Sequence, residues 1–111
     1  MAATQETRRS RRIQVQGEVD ATGTPTFQAS VINLSRDGVC VEHAAKLEPG
    51  QVCDLRLRIP PMSFSVRARI VWSNPHRQGG GAGRFRSGAE FVEVSEDARA
   101  VIDVIVTRPP A

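Results

Sequence analysis

Arg8, Arg9, Arg11 and Arg12 put four guanidinium groups within five residues of one another. Each fork can donate two parallel hydrogen bonds to a phosphate, or to O6 and N7 of guanine, so the partner that such a cluster suggests carries phosphates or guanine bases. Twenty-one residues after Arg12 comes Asn33-Leu34-Ser35-Arg36-Asp37-Gly38. On a strand Asn33 and Ser35 project to one face, and Gly38 lets a ligand or a backbone approach closely, which makes a small polar site beside a turn. Both segments also have plainer readings. The arginines can be a solvated basic arm, and the hexapeptide can be a β-hairpin connection in which Asp37-Gly38 supplies unusual dihedrals.

Catalytic groups are scarce by comparison. The histidines are His43 and His76, tyrosine is absent, and no Gly-x-Ser-x-Gly elbow occurs. The glycines at 79, 80, 81 and 83 are followed by Arg84 where a dinucleotide fingerprint needs glycine, and no Lys-Ser/Thr pair follows to make a phosphate-binding P-loop. The chain is therefore expected not to be an enzyme. Cys40 and His43 lie an odd number apart on one predicted strand, so they leave opposite faces and do not share a metal. No metal and no cofactor are expected, and Cys40 and Cys53 are read as buried thiols.

The elements that must position these residues are mostly strands. Ile13, Val15, Gly17 and Val19 alternate with Gln14, Gln16, Glu18 and Asp20, the period of a half-buried strand. A turn at 21–25 leads to a β-branched run over 27–35, and a third strand is expected over 39–44. Pro49-Gly50 precedes a fourth over 52–59, which Pro60-Pro61 ends. Phe64, Val66, Ala68, Ile70 and Trp72 then alternate with Ser65, Arg67, Arg69 and Ser73, which assigns Trp72 to the core face, with a ligand platform as its second reading. After a flexible loop at 74–83 comes a sixth strand over 85–94. Ser95, with Glu96 and Asp97 behind it, reads as a helix start. Ala98, Val101, Ile102 and Ile105 form the apolar stripe of that helix, and Pro109-Pro110 stops it. Six short strands and a terminal helix predict an all-β fold, a small antiparallel barrel with the helix laid on one edge or mouth.

The chain has 111 residues, 40% hydrophobic and 24% charged, which suits one compact domain and excludes most large enzyme folds. Nothing approaches a membrane span of roughly 20 apolar residues, and MAATQETRRSRR has no apolar signal region, so no membrane partner and a cytoplasmic setting are expected. The net charge of +3 is uneven: residues 1–50 balance, 51–88 carry seven basic side chains against one acidic, and 89–111 carry two against five. Arg56, Arg58, Arg67 and Arg69 form a cationic row that reads as a solvated barrel face, or as a docking surface for an acidic partner protein.

Arg8-x-x-x-Arg12 ahead of Asn33-x-Ser35-x-x-Gly38, with a strand and a turn between, resembles the PilZ domain family of bacterial cyclic di-GMP receptors. The likeness continues through Ala68-Arg69-Ile70-Val71-Trp72, Ser87-Gly88-Ala89-Glu90-Phe91 and the terminal helix. It implies a six-stranded PilZ barrel over residues 13–108 and a flexible arm over 1–12 that wraps the ligand. It further implies that Arg8 and Arg12 bind cyclic di-GMP, that Asn33 and Ser35 hold a guanine, and that Gly38 gives clearance, with Arg9 and Arg11 as extra cations. Asn33 stands where Asp is commoner in the family. The output would be contact with an unidentified downstream protein. Two alternatives stand beside this. One is a basic barrel that binds nucleic acid, for which four Phe, one Trp and no Tyr give few stacking platforms. The other is a PilZ scaffold that binds no nucleotide.

Overall fold

Alternation of apolar and polar side chains drives most of the chain into strands. In the computed structural model, which describes residues 11–23, 26–76 and 84–107, the strands are β1 (Ile13–Gln14), β2 (Glu18–Gly23), β3 (Phe27–Leu34), β4 (Gly38–His43), β5 (Val52–Ile59), β6 (Met62–His76) and β7 (Arg84–Glu93). One helix, α1 (Glu96–Thr107), follows. Every pairing is antiparallel, and the sheet closes on itself in the order β2, β5, β6, β7, β4, β3. This is the predicted six-stranded barrel with its C-terminal helix. The extra strand β1 pairs with the far end of β3, Ile13 opposite Leu34 and Gln14 opposite Asn33.

Three predicted boundaries shift. The strand expected over 13–20 breaks between Gln14 and Glu18, where the Gly17 carbonyl accepts the Val31 N–H at 2.9 Å. A Cβ on Gly17 would lie 2.5 Å from the Arg58 carbonyl oxygen, so the chain can press against β5 there only as glycine. β2 continues to Gly23, which shortens the turn predicted at 21–25; residues 24 and 25 lie outside the described residues. β6 continues to His76, and the rest of the predicted glycine loop, 77–83, lies outside them too, as does Pro109-Pro110.

The inward side chains fill one core. Leu34, Val39, Leu57 and Ile59 are buried from the strands, and Ala98, Ile102 and Ile105 of α1 join them. Each large aliphatic group so buried stabilises the fold by roughly 1.5–3 kcal/mol. The helix begins as its sequence predicts, with Ser95 Oγ accepting the Ala98 N–H at 3.0 Å and Glu96 and Asp97 in the first turn. Cys53 is buried, and desolvation pushes its thiol up in pKa. Cys40 departs from expectation: it is only half-buried and faces outward.

The basic row on the outer face is paired. Arg58 donates to Asp20 at 2.7 Å and to Glu18 at 3.2 Å, Arg67 to Asp54 at 3.0 Å, Arg69 to Glu90, and Arg56 to Ser65 Oγ at 3.3 Å. The Arg58 hydrogen bond holds the Asp20 carboxyl below its usual range. These carboxylates lie on neighbouring strands, so the charge of Arg58, Arg67 and Arg69 is compensated in three dimensions. Arg58, Arg67 and Arg69 are thus held by carboxylates, as a solvated face would have them, whereas Arg56 is bonded to a hydroxyl. Such exposed pairs are screened by water and salt and contribute little to stability.

His43 points inward, opposite to Cys40, as the odd spacing requires. It is 1% exposed, packs between the Phe27 and Phe85 rings, and its Nε2 lies 2.7 Å from Ser87 Oγ, which donates to Ser73 Oγ at 2.8 Å. Burial lowers its pKa from the ordinary 6.5. The unfolded chain therefore binds a proton that the folded chain refuses, and stability is fully present above about pH 6.5 and falls as pH drops below it. Urea unfolding of wild type should show that loss between pH 7.5 and 5.5. His43→Phe should flatten the slope, and an unchanged slope would place the titration elsewhere.

Candidate functional site

Register places the two sequence motifs side by side. Gln14 on β1 pairs with Asn33 on β3, Asn33 with Cys40 on β4, Cys40 with Gly88 on β7, and Gly88 with Trp72 on β6. One lateral row thus crosses the outer wall of the barrel. β1 anchors the chain beside Asn33, and Arg12, two residues before Gln14, donates from Nη1 to Asn33 Oδ1 at 2.7 Å across 21 residues of sequence. Arg8 and Arg9 lie outside the described residues, as does the arm before Arg11.

Two β-bulges aim this row outward. On β3 the pairing with β4 shifts between Val31 and Asn33, so Ile32 is the extra residue. Val31 and Leu34 both stay buried while Asn33 is half-buried on the outside. On β6 the pairing with β7 shifts between Ile70 and Trp72. Strict alternation would keep Trp72 in the core with Ile70; the extra residue Val71 reverses the phase, and Trp72 lies outside, 38% exposed. The core assignment of Trp72 is thereby corrected. Its indole covers Gly88, where a Cβ would lie 2.6 Å from Cε2. A glycine inside a strand is itself a signal of close approach, and Gly88 in the sequence could have revealed the overlying ring.

Ser35 does not share the outer face with Asn33 as expected, and the close approach expected at Gly38 is made by a backbone. Ser35 is 2% exposed, and its Oγ accepts the N–H groups of Asp37 and Gly38, each at 3.2 Å, while its own N–H donates to the Gly38 carbonyl at 2.9 Å. The hydroxyl closes the turn between β3 and β4, below the face that carries Asn33. Among the described residues left-handed φ angles occur at Gly23 and Gly50 alone, so Asp37-Gly38 needs no unusual dihedral. Gly38 is required because a Cβ there would overlap the Ala89 carbonyl oxygen on β7. The same turn reaches α1, with Arg36 donating to Asp103 at 2.7 Å.

Cys40, in the middle of the row, feels both Arg12 and Arg86: burial pushes the thiol up, and the two guanidiniums pull against it. Cation, amide, thiol and indole thus make a shallow strip suited to a flat, anionic molecule: the guanidinium and amide supply polar edges and the indole a stacking face. Among the described residues no cluster of three or more His, Cys, Asp or Glu could hold a metal ion, and no helix is long and apolar enough to cross a membrane.

The PilZ domain family model matches residues 6–108. The chain belongs to the PilZ domain family. Its barrel is similar to the PilZ domain with c-di-GMP of YcgR from Escherichia coli, with a TM-score of 0.75, 16% identity, and coverage of 90% of this chain and 88% of that one. It is also similar to the Bacillus subtilis inhibitor of motility MotI/DgrA, at 0.72 and 17%, covering 91% of this chain and 50% of that one, so it spans about half of that protein. The PilZ domain of CeSA from a cellulose-synthesizing bacterium superposes at 0.61 and 19%, covering 88% and 96%. Comparison with curated proteins finds no match. Within the PilZ barrel, then, the strip from Arg12 to Trp72 brings Arg12 of the arginine cluster against Asn33.

Proposed function

We propose that this PilZ protein is a cyclic di-GMP receptor that signals by reshaping its N-terminal arm. The observation that carries the reading is the Arg12 hydrogen bond to Asn33, which brings the halves of the signature into contact. The bound c-di-GMP of the YcgR domain supports it by analogy of fold. Cyclic di-GMP offers two phosphates and two guanine edges. On binding, Asn33 Oδ1 accepts N1–H or N2–H of a guanine, and Arg12 leaves it for a phosphate or for O6 and N7. Arg8, and Arg9 beside it, add forks from the arm, and the exposed Trp72 offers a ring for a base to stack on. Ser35 keeps the turn under Asn33 in place, and Gly38 keeps β4 against β7.

Arg12 already lies against Asn33, and the stretch before it, with few apolar side chains and the like charges of Arg8 and Arg9, is what ligand phosphates can gather onto the barrel. Ordering that arm changes the surface offered to a downstream protein in the bacterial cytoplasm, and the role is that of a receptor and adaptor rather than an enzyme. Titration calorimetry with cyclic di-GMP tests the reading. Heat is expected at micromolar ligand, with cyclic di-AMP and GTP much weaker, because adenine presents a donor where guanine presents O6. Trp72, the single tryptophan, should change its fluorescence in the same titration. No heat at high micromolar ligand overturns the function, and equal affinity for cyclic di-AMP overturns its guanine specificity.

A further inference from the structure

Arg86 stands on the outward face of β7, two residues before Gly88, opposite Glu42 on β4 and Asn74 on β6. It differs from the other arginines of the described strands. Arg58, Arg67, Arg69 and Arg84 donate to carboxylates and Arg56 to a hydroxyl, whereas the Arg86 Nε is buried and makes no hydrogen bond. Its nearest anion is Glu42 Oε1 at 3.5 Å, and the other oxygen of that carboxylate accepts Arg84 Nε at 2.8 Å. One carboxylate is thus shared between two guanidiniums and satisfies one of them. The Arg86 side chain is 38% exposed, on the same face of β7 as Gly88, which pairs with Trp72 in the row. Arg12 and Arg86 flank Cys40, the centre of that row, and both act on its thiol.

We infer that Arg86 is a further anion-binding residue of the dinucleotide site, supplied by the barrel wall, and that Glu42 is the carboxylate which a ligand phosphate displaces from it. The inference rests on the cyclic di-GMP reading and adds a cation that neither signature motif contains. A phosphate oxygen brings a full charge and a free lone pair to a guanidinium that now has only a distant half-share of a carboxylate. Glu42 is consequently a competitor of the ligand, and its removal has the opposite sign to removal of Arg86.

Calorimetry with cyclic di-GMP on wild type, Arg86→Ala, Glu42→Gln and the double variant tests this. Arg86→Ala should weaken binding about tenfold or more, Glu42→Gln should tighten it several-fold, and Glu42→Gln should have no effect once Arg86 is alanine. A merely structural Arg86 gives no tightening in Glu42→Gln. Wild-type affinity in Arg86→Ala overturns the inference and leaves the cyclic di-GMP reading standing, provided that wild type binds. Weakening in Glu42→Gln overturns the displacement, since Glu42 would then be orienting Arg86 for the ligand. Should Arg86→Ala fail to fold, the sign of the Glu42→Gln effect still decides. A wild-type chain that gives no heat overturns both the reading and the inference.

Discussion

Arg12→Ala is expected to lower affinity for cyclic di-GMP by roughly ten- to a hundredfold, about 1.5–3 kcal/mol, while Arg67→Ala leaves it nearly unchanged. Two effects oppose each other at Arg12. Its hydrogen bond to Asn33 occupies the acceptor that a guanine N–H would use, so deletion frees Asn33 for the ligand. Deletion also removes a charge-assisted, two-pronged contact to phosphate or guanine. The first gain is small because Arg12 and Asn33 meet at an exposed site where water already competes. The second loss is larger because a charge-assisted, two-pronged contact to the ligand is roughly twice as strong as a neutral hydrogen bond. Arg67 is the control, being held by Asp54 at 3.0 Å and Glu93 at 3.6 Å, off the row of the site. Calorimetry on both variants, with circular dichroism to verify folding, gives the comparison. If Arg67→Ala proves the more damaging, the ligand sits on the basic strands β5 and β6, and the arm motif is not its clamp.

What was legible in the sequence was whatever depends on neighbours along the chain. Cys53, Leu55, Leu57 and Ile59 alternate and are buried as the period demands, and Ser95 caps the helix it announces. The barrel followed from such local signals, while the link between Arg-x-x-x-Arg and Asn-x-Ser-x-x-Gly came from the resemblance to the PilZ domain family. The site itself depends on register, which local periodicity does not carry. One extra residue, Val71, reverses the face of Trp72, and another, Ile32, turns Asn33 outward; neither bulge has a turn residue to mark it. The partners of the arginine row were not legible because acids that reach it lie far away in sequence: Arg58 meets Asp20 across 38 residues. Ser35 looked like a surface group because it stands two residues from Asn33, but β3 ends at Leu34, beyond which strand alternation no longer governs.

Gly38→Ala separates the two roles that this glycine can have. If the residue is glycine to admit the ligand, the added methyl should abolish binding and leave the unfolding temperature alone. The structure gives the methyl another target. Gly38 is buried opposite Glu90, and a Cβ there would overlap the Ala89 carbonyl oxygen and approach the Glu90 Cα to 3.4 Å. Both are backbone atoms of a paired strand and have no rotamer to give way. Relief must come from parting β4 and β7, which strains the seam beside the core residue Val39 and disturbs the turn that Ser35 closes through the Gly38 N–H. Overpacking of this kind costs about 1–3 kcal/mol, which for a domain of this size lowers the unfolding midpoint by roughly 5–20 °C. The expected result is a clear thermal destabilisation, with the folded protein still binding cyclic di-GMP through Arg12 and Asn33. An unshifted midpoint together with lost binding would reverse the assignment and make Gly38 part of the ligand's own contact surface.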